Sequence, residues 1–201
     1  AIEKGITLFD IYEHSHKQFA PMSRALDPVR NEVLLSLVTV WREVHEVMDE
    51  VDYALKMFKR DTIDLFRVVL SKRDWDDSEQ RLTTLAKAKE QGKVRAIGGV
   101  VHYPEHFLEG LRRFPDLLEY MMAPVSMFAP LVIREDRELA HALRAGDLGF
   151  MAIKALGAYR DGEANIRKLH PEGDEVEALE AKGLTIGKLA IKYLLQSDRV
   201  S

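Results

Sequence analysis

Six polar side chains stand where apolar stretches of the sequence end, and their types could do chemistry. They are Asp10, Tyr12, His14, His102, Ser126 and Lys154. The apolar stretches are predicted parallel strands, and active sites of such sheets lie at the carboxyl ends of the strands. A tyrosine placed there could donate a proton, and a lysine could hold a phosphate. These strand ends therefore offer candidates for acid–base chemistry and for anion binding.

Each of these residues also has a structural interpretation. Asp10 lies inside the apolar segment ITLFDI, where a carboxylate needs a partner, so it is either a site residue or half of an ion pair. Tyr12 could pack against its neighbours instead of donating a proton. Lys154 could extend its ammonium into solvent instead of holding a cofactor phosphate.

Arg67 is an unusual residue in the apolar segment IDLFRVVL (63–70). Period-two alternation places it on the same strand face as Val69, and a buried guanidinium demands a carboxylate. Asp10 is the nearest plausible partner. We therefore expect Arg67 to point inward and to approach Asp10, either as a structural salt bridge or as part of a remodelled site.

The histidines His14 and His16 form an H-x-H pair whose spacing would let both imidazoles reach one metal ion. Together with His102, the pair resembles the metal ligands of hydrolases built on a βα barrel. However, no carboxylate or lysine is placed to complete such a site. We therefore predict an exposed loop pair and no metal, and we keep a metal-dependent hydrolase as an alternative function.

Helical and strand patterns alternate along the whole sequence. The centres of six apolar strands recur every 24–31 residues, which favours a parallel sheet with right-handed crossovers. The predicted strands cover 6–11, 33–40, 63–70, 94–101, 117–124 and 150–155. The clearest predicted helix runs over 43–58, and a second one is capped by Ser78 and ended by Gly92. A doubly wound sheet and a closed βα barrel both fit this pattern, although no glycine-rich phosphate loop follows any strand.

Composition narrows the class of protein. The chain has 201 residues, of which 46% are hydrophobic and 31% charged, enough for one substantial core. Its formal net charge of −4 does not suggest a nucleic-acid or membrane surface. The absence of cysteine excludes disulfides, thiolate zinc sites and iron–sulfur ligation within this sequence. The longest apolar run, VLLSLVTVW (33–41), is far too short to span a membrane.

Five segments, in order along the chain, resemble the aldo/keto reductase superfamily. They are GITLFD (5–10), VDYALKMFKRDTIDLF (51–66), AKEQGKVRAIGGV (88–100), FMAIKALG (150–157) and KLAIKYLLQSDRVS (188–201). The resemblance implies an eight-stranded (β/α)8 TIM barrel, of which this sequence contains the second to the seventh strand. We therefore expect residues 1–201 to form a single βα-barrel domain, with the first and last strands outside the sequence.

The family's catalytic residues carry over only in part. Asp10 matches the catalytic aspartate, and Tyr12 is close to the expected tyrosine position near Ser15. Val38 occupies the lysine position and Val69 the histidine position. A lysine ammonium would stabilise the phenolate form of the tyrosine, and a histidine would polarise the carbonyl. Each such acid–base group is typically worth about 10²–10⁴-fold in rate, so their loss predicts slow chemistry unless other groups compensate.

The resemblance also implies NADPH or NADH as the hydride donor and a small carbonyl compound as the substrate. Lys154 and Gly157 lie in the strand segment that meets the cofactor in the family. The polar pair that contacts the nicotinamide amide is replaced by Val100 and Val101.

From these observations we expect a reductase-like oxidoreductase with an atypical or degraded site, in the cytoplasm. No nucleic-acid or membrane partner is expected, and the oligomeric state is left open. A non-catalytic barrel used for binding is the main alternative.

Overall fold

The computed structural model of the protein describes residues 2–12, 17–39, 43–71, 74–126, 138–156, 178, 181–197 and 200. In these ranges, β-strands alternate with α-helices. The strands are β1 (Leu8–Ile11), β2 (Leu34–Val38), β3 (Ile63–Val69), β4 (Val94–Val100), β5 (Tyr120–Pro124) and β6 (Gly149–Ile153). The helices are α1 (Phe19–Leu26), α2 (Val47–Phe58), α3 (Trp75–Glu90), α4 (Pro104–Arg113), α5 (Glu138–Ala145) and α6 (Ile186–Leu194). Short 3₁₀ turns occur at Ile2–Lys4, Asp27–Val29 and Val44–Glu46.

The six parallel strands follow one another in the sheet in the same order as in the chain. A doubly wound sheet reverses its strand order partway along the chain, so this order excludes it. The barrel prediction is therefore confirmed at the level of fold class: the described elements are part of a (β/α)8 barrel.

The chain divides into two compact units, and the division falls within α4 and β5. The first unit comprises Ala1–Val100 and Glu109–Tyr120, and the second comprises Val101–Leu108 and Met121–Ser201. That residues 1–201 form a single domain stays a prediction.

Helix α2 shows how the sequence builds the core of the first unit. Val47, Val51, Ala54 and Phe58 recur at helical spacing and are all buried. Lys59 then adopts the left-handed conformation, with φ at 52°, and its N–H closes the helix by donating to carbonyl oxygens of the last turn. The predicted helix over 43–58 is thus confirmed, except that it opens as a 3₁₀ turn.

The predicted start of the next helix is wrong by one turn. Ser78 does not cap α3, because the helix begins at Trp75 and the Ser78 hydroxyl donates to the carbonyl oxygen of Asp74 at 2.8 Å. The cause is tertiary packing: the Trp75 ring lies 6.0 Å from that of Phe114, and this contact favours an earlier helix start. At the other end, Gly92 has φ at 75°, as its predicted role requires.

Several strand boundaries also differ from the predicted ones by one to three residues, and two of these differences have a visible cause. Strand β5 begins at Tyr120 and not at position 117, because the N–H groups of Leu117 and Leu118 bond back to Phe114 at the end of α4. Strand β6 ends at Ile153, because Lys154 leaves the extended conformation with φ at 57°.

The second unit has its own apolar contacts. The rings of Phe107 and Phe150 lie 5.9 Å apart, and Leu139 and Leu143 bury one face of α5. Thr185 caps α6 by accepting a hydrogen bond from the N–H of Lys188. Among the described helices, none combines the length and the apolar character needed to cross a membrane.

A buried carboxylate ties the amino-terminal ends of β2, β3 and β4 together. Asp64 is 2% exposed, and its Oδ2 accepts the N–H of Leu35 and pairs with Arg60, each at 3.0 Å. Its Oδ1 pairs with Arg95 at 2.9 Å. Arg60 continues the network to the carbonyl oxygen of Val33. The three partners of Asp64 compensate the cost of burying its charge.

We expect Asp64→Asn to lower the free energy of unfolding by about 3 kcal/mol, because the amide leaves Arg60 without its buried counterion. Arg95→Gln is the matched control, since its side chain is 64% exposed and such pairs contribute about 1 kcal/mol or less. Urea unfolding of both variants measures the difference. Equal losses would show that Asp64 is not the centre of the network.

Candidate active site

The predicted contact between Arg67 and Asp10 is present. The guanidinium donates through Nη1 to Asp10 Oδ1 at 2.5 Å and through Nη2 to Oδ2 at 2.9 Å. The Arg67 side chain is completely buried, whereas that of Asp10 is 34% exposed. The two residues therefore form a bidentate ion pair that is dry on the arginine side and reaches solvent on the aspartate side.

Strand β2, which lies between the two residues, supplies further acceptors. Arg67 Nη1 also donates to Ser36 Oγ at 2.6 Å and to the carbonyl oxygen of Leu37 at 3.3 Å. In the register of the sheet, Asp10 pairs with Ser36, and Arg67 pairs with Val38 two residues further on. The long arginine side chain therefore has to lean back across β2 to reach the carboxylate.

Tyr120 completes this cluster, and sequence reasoning missed it. Its side chain is almost fully buried, and its hydroxyl lies near the Arg67 guanidinium and the Ser36 hydroxyl, although it has no regular hydrogen-bond partner among the described residues. The ring lies against Gly98, the residue of β4 that pairs with Arg67. A Cβ atom at Gly98 would lie 2.5 Å from Tyr120 Cε1, so only glycine leaves room for the ring. The one available signal was a glycine inside an apolar strand, which often marks a close approach.

Burial raises the pKa of the Tyr120 hydroxyl well above its ordinary value of about 10. The neighbouring Arg67 charge acts in the opposite direction, but the cost of desolvating a phenolate is larger. The hydroxyl therefore stays neutral and can both donate and accept a hydrogen bond.

Valines occupy the positions where the family resemblance expects polar catalytic groups. Val38 is 3% exposed and Val69 is partly exposed at the carboxyl end of β3. Val100 and Val101, which replace the amide-binding pair, are both buried. None of these side chains can donate a proton or carry charge.

Tyr12 follows β1 directly and is 47% exposed. It stands two residues beyond Asp10, so strand alternation puts both on the same side. Tyr12 is thus accessible from solvent, as a proton donor to a bound substrate must be.

Three candidates lie in the second unit, at or just beyond the ends of their strands. Ser126 is 2% exposed, His102 is partly buried and Lys154 is exposed. Partial burial lowers the pKa of His102, and the nearby Lys154 charge lowers it further. Burial likewise lowers the pKa of Lys154. Lys154 also carries a left-handed backbone, a strain that often accompanies function.

The remaining candidates lie outside the described residues. These are Gly157 and the pair His14 and His16. Within the described ranges, no three His, Cys, Asp or Glu side chains are grouped to hold a metal ion.

Several solved structures with a similar fold are aldo-keto reductases. One from Klebsiella pneumoniae in complex with NADPH has a TM-score of 0.75 and 19% identity, over 99% of this chain and 69% of that chain. Glycerol dehydrogenase from Gluconobacter oxydans has a TM-score of 0.71 and 17% identity, over 99% and 71%. An aldo-keto reductase from Bacillus halodurans in its holo form has a TM-score of 0.68 and 20% identity, over 99% and 70%.

No family model matches the sequence, and no curated protein matches it. At such low identities the structural similarity establishes the fold and not the activity. What the chain does has to be argued from its own residues.

Arg67 and Asp10 are buried to different extents, so we expect substitutions of the two residues to lower the free energy of unfolding by different amounts. Asp10→Asn should cost about 3–5 kcal/mol, because it strands a fully buried guanidinium. Arg67→Met should cost less, because the carboxylate that remains already reaches solvent. In the Arg67→Met background, Asp10→Asn should then have almost no effect.

Urea unfolding of the wild type, the two single variants and the double variant measures this coupling. Additive losses in the double variant would show that the two side chains do not stabilise each other.

Proposed function

We propose that the protein is an aldo/keto-reductase-like oxidoreductase that transfers a hydride from NADPH or NADH to a small carbonyl substrate, with an altered set of catalytic residues. The main support is that the chain shares its fold, over 99% of its length, with a reductase whose structure contains NADPH. The ion pair between Asp10 and Arg67 is a second support. It places a cation beside the carboxylate, although position 38, where the family resemblance expects a lysine, is valine.

In this proposal Tyr12 is the proton donor. Carbonyl reduction needs a proton at the oxygen as the hydride reaches the carbon, and an exposed phenol at the end of β1 can supply it. In this proposal the ion pair of Asp10 and Arg67 lies beneath the Tyr12 phenol. Because Arg67 is neutralised by Asp10, it stabilises a phenolate less than a free ammonium would, and a low turnover is expected.

The nicotinamide nucleotide, when bound, supplies the hydride. The described residues fit its phosphates better than its carboxamide: Lys154 offers an exposed ammonium at the end of β6, whereas Val100 and Val101 offer no polar side chain. We propose Lys154 as a phosphate-binding residue, together with Gly157 from the family resemblance. Weak binding of the nicotinamide end follows from the two valines.

A non-catalytic barrel that binds a small molecule is the second candidate function. Val38 is almost completely buried, and Arg67 on the next strand is already neutralised by Asp10. Neither residue is then a free polar group for catalysis, which favours a binding role. The metal-dependent hydrolase proposed for His14 and His16 is a further alternative. Metal analysis of the purified protein tests it: a stoichiometric transition metal would favour the hydrolase over the reductase.

Fluorescence titration of the full-length protein with NADPH and NADH tests the proposal. Saturable binding is expected, weakened about tenfold by Lys154→Met, which corresponds to about 1.4 kcal/mol for one phosphate contact. Lys192→Met is the matched control, because Lys192 is also an exposed lysine of the second unit. Failure of both nucleotides to bind at millimolar concentration would contradict the reductase proposal.

Turnover then separates a reductase from a binding protein. With a panel of aldehydes, NADPH oxidation followed by absorbance should be slow but measurable, and Tyr12→Phe should lower kcat by about 10²-fold or more. Tyr103→Phe is the control, since this tyrosine is similarly exposed, at 52%. Binding without turnover on any aldehyde would favour the non-catalytic barrel.

A further inference from the structure

We propose that Tyr120 is a positioning residue, whose hydroxyl holds the Arg67 guanidinium in the plane that presents both Nη atoms to Asp10. The inference deepens the proposed function, on which it rests, by adding a residue that acts through Arg67 and does not touch the substrate. Tyr120 carries the one side-chain hydroxyl of β5 (Tyr120–Pro124), and the proposal gives this hydroxyl a role beside Arg67.

The distribution of acceptors around Arg67 is the first argument. Among the described residues, Nη1 has three acceptors and Nη2 has one, and all of these acceptors lie on β1 and β2. Within the described residues, Nε has no regular hydrogen-bond partner, although the guanidinium is completely buried. Tyr120 Oη, which lies near the guanidinium, likewise has no regular hydrogen-bond partner among the described residues, so the guanidinium and the phenol each have an unsatisfied buried polar atom.

The placement of Tyr120 is the second argument. Gly98 is the register partner of Arg67, and the space left by its missing side chain is filled by the Tyr120 ring. This brings the phenol across β4 toward Arg67 and Ser36, without a regular hydrogen bond to either of them. A phenylalanine would fill the same space equally well, so packing alone does not require the hydroxyl.

The charge state of the phenol is the third argument. Burial keeps Tyr120 neutral, as its raised pKa indicates, so it adds no second negative charge to compete with Asp10. A neutral hydroxyl beside a guanidinium orients the cation without neutralising it. Asp10 thus remains the counterion, and Tyr120 limits the rotation of the group that binds it.

The Tyr120→Phe variant separates the hydroxyl from the ring. In ¹⁵N NMR spectra of the arginine side chains, the wild type should show slowly exchanging Nη signals for Arg67, assigned by their loss in Arg67→Met. In Tyr120→Phe these signals should broaden or collapse through faster rotation. Tyr193→Phe, a partly buried tyrosine of α6, is the control and should leave them unchanged. Gly98→Ala, which displaces the ring while keeping the hydroxyl, should reproduce the Tyr120→Phe spectrum.

Kinetics provide the functional readout. Tyr120→Phe should lower kcat for carbonyl reduction by about tenfold, equivalent to about 1.4 kcal/mol, and should leave KM for the nicotinamide nucleotide unchanged. In the Arg67→Met background the same substitution should have no further effect on kcat. A purely structural role would instead lower thermal stability equally in both backgrounds.

The inference is overturned if the Arg67 signals of Tyr120→Phe match those of the wild type, or if its effect on kcat persists without Arg67. If the wild type shows no reductase activity at all, the proposed function fails. The NMR comparison still decides in that case whether Tyr120 orients Arg67.

Discussion

The neutralisation of the buried Arg67 guanidinium is the constraint on which the inner face of the first unit depends. Removing an arginine from water costs several kcal/mol unless its donors find charged or polar acceptors. Here Asp10 on β1 supplies both carboxylate oxygens, and Ser36 on β2 supplies a hydroxyl. Because these groups come from three adjacent strands, a shift of register in any of them would strand the charge. The ion pair therefore specifies strand alignment as well as balancing charge.

Side chains alternate between the two faces of a strand, and this alternation both fixes the strand register and made the ion pair predictable. Period-two alternation placed Arg67 and Asp10 on inward faces, and helix–strand alternation predicted the parallel sheet. Features set by distant contacts were not predictable. The early start of α3 depends on packing between Trp75 and Phe114, and the role of Tyr120 depends on the empty space at Gly98. In both cases the deciding neighbour lies more than twenty residues away in the chain, where a local pattern carries no information.

Val38 and Val69 stand where the family resemblance predicts a catalytic lysine and histidine, and the structure gives these two positions different interpretations. Position 38 is valine and not the lysine that the family resemblance predicts, yet a cation reaches Asp10 from the next strand. Under the proposed function, the cation that pairs with the carboxylate comes from β3, whereas the family resemblance predicts it on β2. In contrast, Val69 has an apolar side chain that cannot polarise a carbonyl. For the proposed function, such a site predicts slow turnover, and for the alternative it predicts binding without turnover.

Moving the cation back to β2 tests most directly whether Arg67 replaces the missing lysine. Val38 lies on the same strand face as Ser36, so a lysine there should approach Asp10. The account predicts that Arg67→Leu alone lowers thermal stability and NADPH-dependent reduction, and that Val38→Lys combined with Arg67→Leu restores both. If the double variant is no more stable and no more active than Arg67→Leu alone, Arg67 is not acting as the substitute cation.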